Sequence, residues 1–83
     1  MMRREKFSIA NIYVLPVKRR ATLKPETVQE IAQSMLENGQ QVPILVRPDG
    51  DRFVLVDGLH RLEACKALGE ETIVGYLTQA PKH

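Results

Sequence analysis

Val56-Asp57-Gly58-Leu59-His60-Arg61 is the stretch around which the rest of the chain is organised. An apolar run, Phe53 to Val56, stops at Asp57-Gly58, and a helical pattern opens at once and runs to Leu68-Gly69. A strand that turns through a glycine into a helix aims the helix's unbonded backbone N–H groups and its positive dipole end at the occupant of the turn. That is an anion site before any side chain is counted. Gly58 allows close backbone approach or positive φ, and His60 and Arg61 add donors in the first helical turn. Donors, dipole and a missing Cβ converge on one spot and point to a phosphate. The turn has a plain reading as well, since many strand-to-helix turns carry a glycine and some charge.

The chain is 83 residues long, enough for one small domain near the lower limit of a self-sufficient core. Hydrophobic residues at 43% and charged ones at 27% argue against disorder. No run of about 18 apolar residues is present to span a membrane, and no apolar segment follows the basic start Met1 to Lys6 to make a secretory signal. The single cysteine, Cys65, has no partner for an internal disulfide, which fits a reducing cytoplasm. Two distant histidines and one cysteine supply no metal-binding spacing. The net charge of +2 is unevenly spread. Residues 1–24 carry seven Lys or Arg against Glu5, whereas residues 25–83 carry five basic and nine acidic side chains. The basic third implies an anionic partner, either nucleic acid or the phosphates of a nucleotide.

Outward from the turn, Phe7 to Leu15 alternates loosely and reads as a first strand stopped by Pro16, with a basic loop, Val17 to Leu23, after it. Pro25 and Glu26 suit a helix start. Val28, Ile31, Ala32, Met35 and Leu36 form one apolar stripe, and Asn38-Gly39 ends a helix over 25–38. Two apolar runs, Pro43 to Arg47 and Arg52 to Val56, flank Pro48-Asp49-Gly50-Asp51 and predict a hairpin covered on both faces. A second helix spans 59–68 with Leu62, Ala64, Cys65 and Leu68 inward. Thr72 to Leu77 is a last strand, with Ile73, Val74 and Tyr76 expected in the core. The result is a single α+β domain over residues 7–77, order β-α-β-β-α-β on a small mixed sheet, with tails at 1–6 and 78–83.

The order of elements, the basic loop before the first helix, the Gly39…Pro43-Ile44 step and Asp57-Gly58-Leu59-His60-Arg61…Ala64…Leu68-Gly69 together resemble the ParB N-terminal/sulfiredoxin-like superfamily. The resemblance covers nearly the whole chain and rests on the ordered set of motifs. It implies that the phosphates of ATP or CTP, with Mg²⁺ as a further cofactor, sit on Gly58, Leu59, His60 and Arg61. It also implies that Arg20 reaches those phosphates, with Arg19 and Lys18 beside it. A guanidinium fork facing a helix N-terminus would clamp a polyphosphate. Sulfiredoxins have their catalytic cysteine where Leu59 stands here, and Cys65 lies about 9 Å of helical rise away, so sulfinic-acid reduction is not expected. Partition proteins carry Gly-Glu-Arg-Arg at the turn, and Leu59 departs from that too. They also continue into DNA-binding and dimerisation segments, which are not expected in a chain of this length.

The Asp-Gly-x-His-Arg form is closer to members with ATPase or small-molecule kinase activity. In these the turn aspartate, matched by Asp57, assists phosphoryl transfer together with another acid, for which Glu26 or Glu30 is placed by proximity. Asp57 has an equal claim as a helix N-cap, and His60 is a phosphate donor, an acid–base group or a packing residue. The first functional expectation is therefore a nucleotide-binding domain with slow NTPase or phosphotransfer activity, its base pocket near Val42-Pro43-Ile44. The alternatives are a DNA-associated module, weak and salt-dependent by itself, and an interaction subunit working as a homodimer or with a separate DNA-binding partner.

Overall fold

The two apolar runs around Asp49-Gly50 pair as β3 (Ile44–Asp49) and β4 (Arg52–Asp57), an antiparallel hairpin at the middle of the sheet. The structure, a computed structural model, describes residues 3–40 and 42–78, so the expected tail at 79–83 lies outside the described residues. Before the hairpin come β1 (Arg4–Ser8), a 3₁₀ turn at Ile9–Asn11, β2 (Ile12–Tyr13), α1 (Pro16–Thr22) and α2 (Pro25–Asn38). After it come α3 (Leu59–Ala67) and β5 (Thr72–Leu77). The sheet order is β1-β5-β3-β4-β2, with β3–β5 and β2–β4 parallel and the other pairs antiparallel. This is a small α+β fold with a mixed sheet.

The first predicted strand is in fact two. β1 and β2 lie on opposite edges of the sheet, joined by only three residues. Four strand spacings in a flat sheet would be about 19 Å, whereas four residue steps reach about 14 Å at most and less in a 3₁₀ turn. The sheet must therefore curl. Phe7 of β1 and Phe53 of β4 consequently meet edge to face, ring centroids 5.0 Å apart, although two strands separate theirs. Inside the curl Phe7, Ile9, Ile12, Ile44, Val46, Leu55 and Ile73 pack with Leu59, Leu62 and Cys65 of α3.

Three further expectations need correction. Residues 4–6 belong to β1, not to a tail. The basic segment is a helix, not a loop: Pro16 opens α1 at its first turn rather than merely ending a strand. Because none of its described side chains is buried, α1 carries no apolar stripe for sequence periodicity to detect. The hairpin is packed on one face only, and Val56 on β4 is exposed. In α2 the predicted bounds hold, but Leu36 at the end of the stripe is 68% exposed, while Met35 packs on the core.

Ile44, 1% exposed, is the pivot of the packing. A Cβ on Gly58 would lie 2.6 Å from its Cγ2, and one on Gly75 would lie 2.8 Å from its Cγ1. Two glycines from different elements thus make the slot that one isoleucine fills.

Just before β3, the side-chain amide of Gln40 completes the ladder. It donates to the Val74 carbonyl (2.9 Å) and accepts from the Val74 N–H (2.9 Å), and it donates also to the Val42 carbonyl (3.1 Å). Gln40→Ala would strand both peptide groups of Val74, so we expect a loss of about 1–3 kcal/mol in urea unfolding. A loss under about 0.5 kcal/mol would show that water replaces the amide.

Candidate functional site

α3 begins with no side-chain cap. Its N-cap is Gly58, at φ +108°, and Asp57 is the last residue of β4 with an exposed side chain that makes no capping bond. The capping reading of Asp57 is thereby corrected. The first backbone bond into the helix runs from the Leu62 N–H to the Gly58 carbonyl (2.9 Å). The amides of Leu59, His60 and Arg61 precede it and meet no capping side chain. They open into a cleft of 350 Å³ lined by Lys18, Thr27, Ile31, Asp57, Gly58, Leu59, His60 and Arg61. The chain reverses tightly enough to form this mouth because Gly58 has no Cβ to strike Ile44.

Six of the eight residues singled out from the sequence therefore share one cleft: Lys18, Asp57, Gly58, Leu59, His60 and Arg61. Leu59 contributes backbone, its side chain being only 4% exposed within the core. Arg61 is half-buried and forms no ion pair among the described residues. It also lines a smaller hollow of 170 Å³ with Ile31, Ser34, Met35, Gly39 and Val42, so the two hollows adjoin at Arg61 and Ile31.

The other basic residues are placed differently. Arg19 forks onto Glu63 of α3 through Nη1–Oε2 (3.0 Å) and Nη2–Oε1 (2.9 Å), a bidentate pair that docks α1. Lys18 donates to the Val56 carbonyl. Arg20 is exposed and does not line the cleft. His60 Nε2 accepts the backbone N–H of Lys24 (3.0 Å), which sets the neutral ring with its proton on Nδ1 and ties the α1–α2 junction to α3. Glu26 and Glu30 are exposed on α2; Thr27 and Ile31, one residue further on, face the cleft instead. Thr27 was missed in the sequence, although its four-residue spacing from Ile31 marks a shared helical face.

Among the described residues no three His, Cys, Asp or Glu side chains converge on a point, and no helix is long and apolar enough to cross a membrane. Cys65 is buried in the core with its Sγ 3.9 Å from Met35 Sδ. Burial, and secondarily the charge of Glu70, pushes its thiol pKa upward. The unfolded thiol loses its proton at about pH 8.5, below the folded one. Its contribution to stability is full below that pH and lost as pH rises. We expect the melting temperature to fall more steeply between pH 8 and 10 in the natural chain than in Cys65→Ala, and a thiol reagent to label Cys65 only on unfolding. Rapid labelling of the folded protein would contradict the burial.

Known proteins share this arrangement. The family model described as "ParB N-terminal domain" matches residues 3–82. A probable chromosome-partitioning protein ParB of Campylobacter jejuni is 36% identical over 62 residues, which is 75% of this chain and 22% of that protein. The chain thus spans about a fifth of that relative. Among solved structures, sulfiredoxin from Arabidopsis thaliana superposes with a TM-score of 0.83 at 27% identity, covering 94% of this chain and 86% of that one. The C-terminally truncated chromosome-partitioning protein ParB from Caulobacter crescentus was solved with CTP-gamma-S (TM-score 0.81, 24% identity, 95% and 46% covered). The same protein was also solved with the centromeric parS site (TM-score 0.76, 26% identity, 94% and 42% covered). With its fold, its glycine-led helix turn and a family match over almost its full length, the chain belongs to the ParB N-terminal domain family.

Proposed function

We propose that this domain binds a nucleoside triphosphate, ATP or CTP, with its phosphates on the amides of Leu59, His60 and Arg61. One observation carries the reading: those amides open, uncapped, into a cleft that also holds Lys18 and Arg61. Positive dipole, backbone donors and cations act on the same volume, and each favours a polyphosphate. The adjoining hollow beside Ile31, Ser34, Gly39 and Val42 is of a size and polarity to take the base, and Arg61 at the boundary reaches the phosphates from either side. His60 contributes Nδ1–H, and Arg20, on the short helix docked by Arg19, supplies a further long-range cation. The nucleotide in the Caulobacter protein supports the assignment.

The chemistry is binding before turnover. Asp57 is the one carboxylate among the cleft's described lining residues, and phosphoryl transfer depends on metal neutralisation of the developing charge. Where Mg²⁺ accompanies the nucleotide, Asp57 is the residue placed to meet it, and hydrolysis or transfer would be slow. A DNA-associated role is the second reading, favoured by the parS complex of the Caulobacter protein and by the basic N-terminal third of this chain.

A thermal-shift panel of ATP, CTP, GTP and inorganic phosphate, each with and without Mg²⁺, tests the proposal. A triphosphate present at a hundred times its Kd would stabilise the domain by about 2.7 kcal/mol, a shift of several degrees. If duplex DNA at low salt stabilises the protein and no nucleotide does, the proposal fails and the second reading replaces it.

A further inference from the structure

Tyr13 and Tyr76, both expected in the core from sequence, sit elsewhere: Tyr13 is 36% exposed and Tyr76 half-buried. Paired residues of a sheet share a face, and neighbours along a strand alternate. Arg4 pairs with Tyr76 and Tyr76 with Leu45; Arg47 pairs with Val54 and Val54 with Tyr13. Since Ile44 and Val46 alternate with Leu45 and Arg47 and point into the core, these two rows line the outer face of the curled sheet. α2 and α3 pack on the other side, through Met35, Leu59, Leu62 and Cys65. Val54 is 3% exposed yet stands outside the core cluster, so its cover comes from its own face.

We propose that this outer face binds single-stranded nucleic acid, with bases stacked on Tyr13 and Tyr76 and the phosphate backbone held by Arg4 and Arg47. Tyr13 is prepared for stacking: the Arg52 guanidinium carbon lies 4.2 Å from its ring centroid, and Arg52 is itself held by Asp49 at 3.0 Å. That leaves the exposed side of the ring for a base, giving an arginine–tyrosine–base stack. Arg4 and Arg47 form no ion pair among the described residues, so the face carries net positive charge between its two rings. Tyr76 and Tyr13 stand three strands apart, roughly 14 Å measured across the sheet, with Arg47 on the strand row between them. The charge also selects the occupant. A second copy of this face would set arginine against arginine, and a duplex hides the base faces on which these rings would stack.

Fluorescence anisotropy with the full chain tests this, using labelled oligothymidine, a duplex of the same length and anionic vesicles. Oligothymidine should bind more tightly than duplex, with an affinity that falls as salt rises. Tyr13→Ala and Tyr76→Ala should each raise the Kd about fivefold or more, Tyr13→Phe should keep it, and Arg47→Ala should flatten the salt dependence. Saturating nucleotide should leave the oligonucleotide in place, because the cleft at Gly58 is a separate site. Equal or tighter duplex binding, an unchanged Kd in both alanine variants, displacement by nucleotide, or binding to vesicles alone would each overturn the proposal. Circular dichroism verifies folding; should Tyr76→Ala fail to fold, Tyr13→Ala on its two-residue edge strand decides the outcome.

Discussion

Gly58→Ala is expected to bring this domain to the edge of unfolding. Two independent costs fall on one methyl group. At φ +108° the backbone is in a region that a residue with a Cβ enters only under strain. The added carbon would also sit 2.6 Å from Ile44 Cγ2 and 3.2 Å from Ile44 Cα, and the latter is backbone that cannot rotate away. Strain and overpacking together amount to about 3–5 kcal/mol. A domain of this size holds about 4–12 kcal/mol in all, so the variant should melt far below the natural chain or fail to fold. A double-mutant cycle in urea separates the two causes. Ile44→Ala removes the clashing atoms and leaves the φ strain, so the pair should be less destabilised than the sum of the single changes. Strict additivity would mean that the contact does not matter and that the φ value alone sets the cost.

Arg61→Ala should abolish most nucleotide-dependent stabilisation while changing the unliganded melting temperature by only a few degrees. The side chain is half-buried at the junction of the two hollows and makes no ion pair among the described residues. Its removal therefore leaves no charge stranded in the folded protein. In the nucleotide complex, a hydrogen bond between charged groups contributes about 1.5–3 kcal/mol, so the Kd should rise about 10- to 150-fold. Arg61→Lys keeps the charge and loses the fork, and should fall between the two. Arg20→Ala should weaken binding less than Arg61→Ala, since its helix stands off the cleft lining. Calorimetry that finds the triphosphate bound to Arg61→Ala as tightly as to the natural chain would remove Arg61 from the site, and with it the placement of the phosphates.

The same residues show how far a sequence can be read. The 25–38 helix was legible because its apolar positions repeat along one stripe between Pro25 and Gly39. The 59–67 helix and the last strand were legible for the same kind of reason. α1 was not, because a helix fastened by Lys18, Arg19 and the His60–Lys24 bond leaves no apolar period in the chain. The break between β1 and β2 was hidden as well: Phe7, Ile9 and Ile12 are buried on both sides of it, so the apolar spacing continues through a change of sheet edge.

For the site, the glycine turn and its donors were readable locally, since Asp57 to Arg61 are consecutive and the chemistry of a helix start depends on few neighbours. Contacts between distant segments were not. Nothing in the spacing of Arg19 and Glu63, 44 residues apart, predicts their pairing, and it is that pairing that takes Arg19 off the phosphate list. His60 likewise spends one nitrogen on Lys24, 36 residues earlier. The assignment of Tyr76 to the core failed because β-strand alternation gives two faces without saying which one is covered.

By itself the chain determined the elements with strong periodicity, the strand–glycine–helix turn and the uneven charge, because each is a local property of consecutive residues. Only the tertiary structure decided which cations face the cleft, which sheet face stays open and why Gly58 and Gly75 must both lack a side chain. Those follow from segments far apart in sequence competing for the same space around Ile44 and the start of α3, and such competition exists only once the sheet has curled.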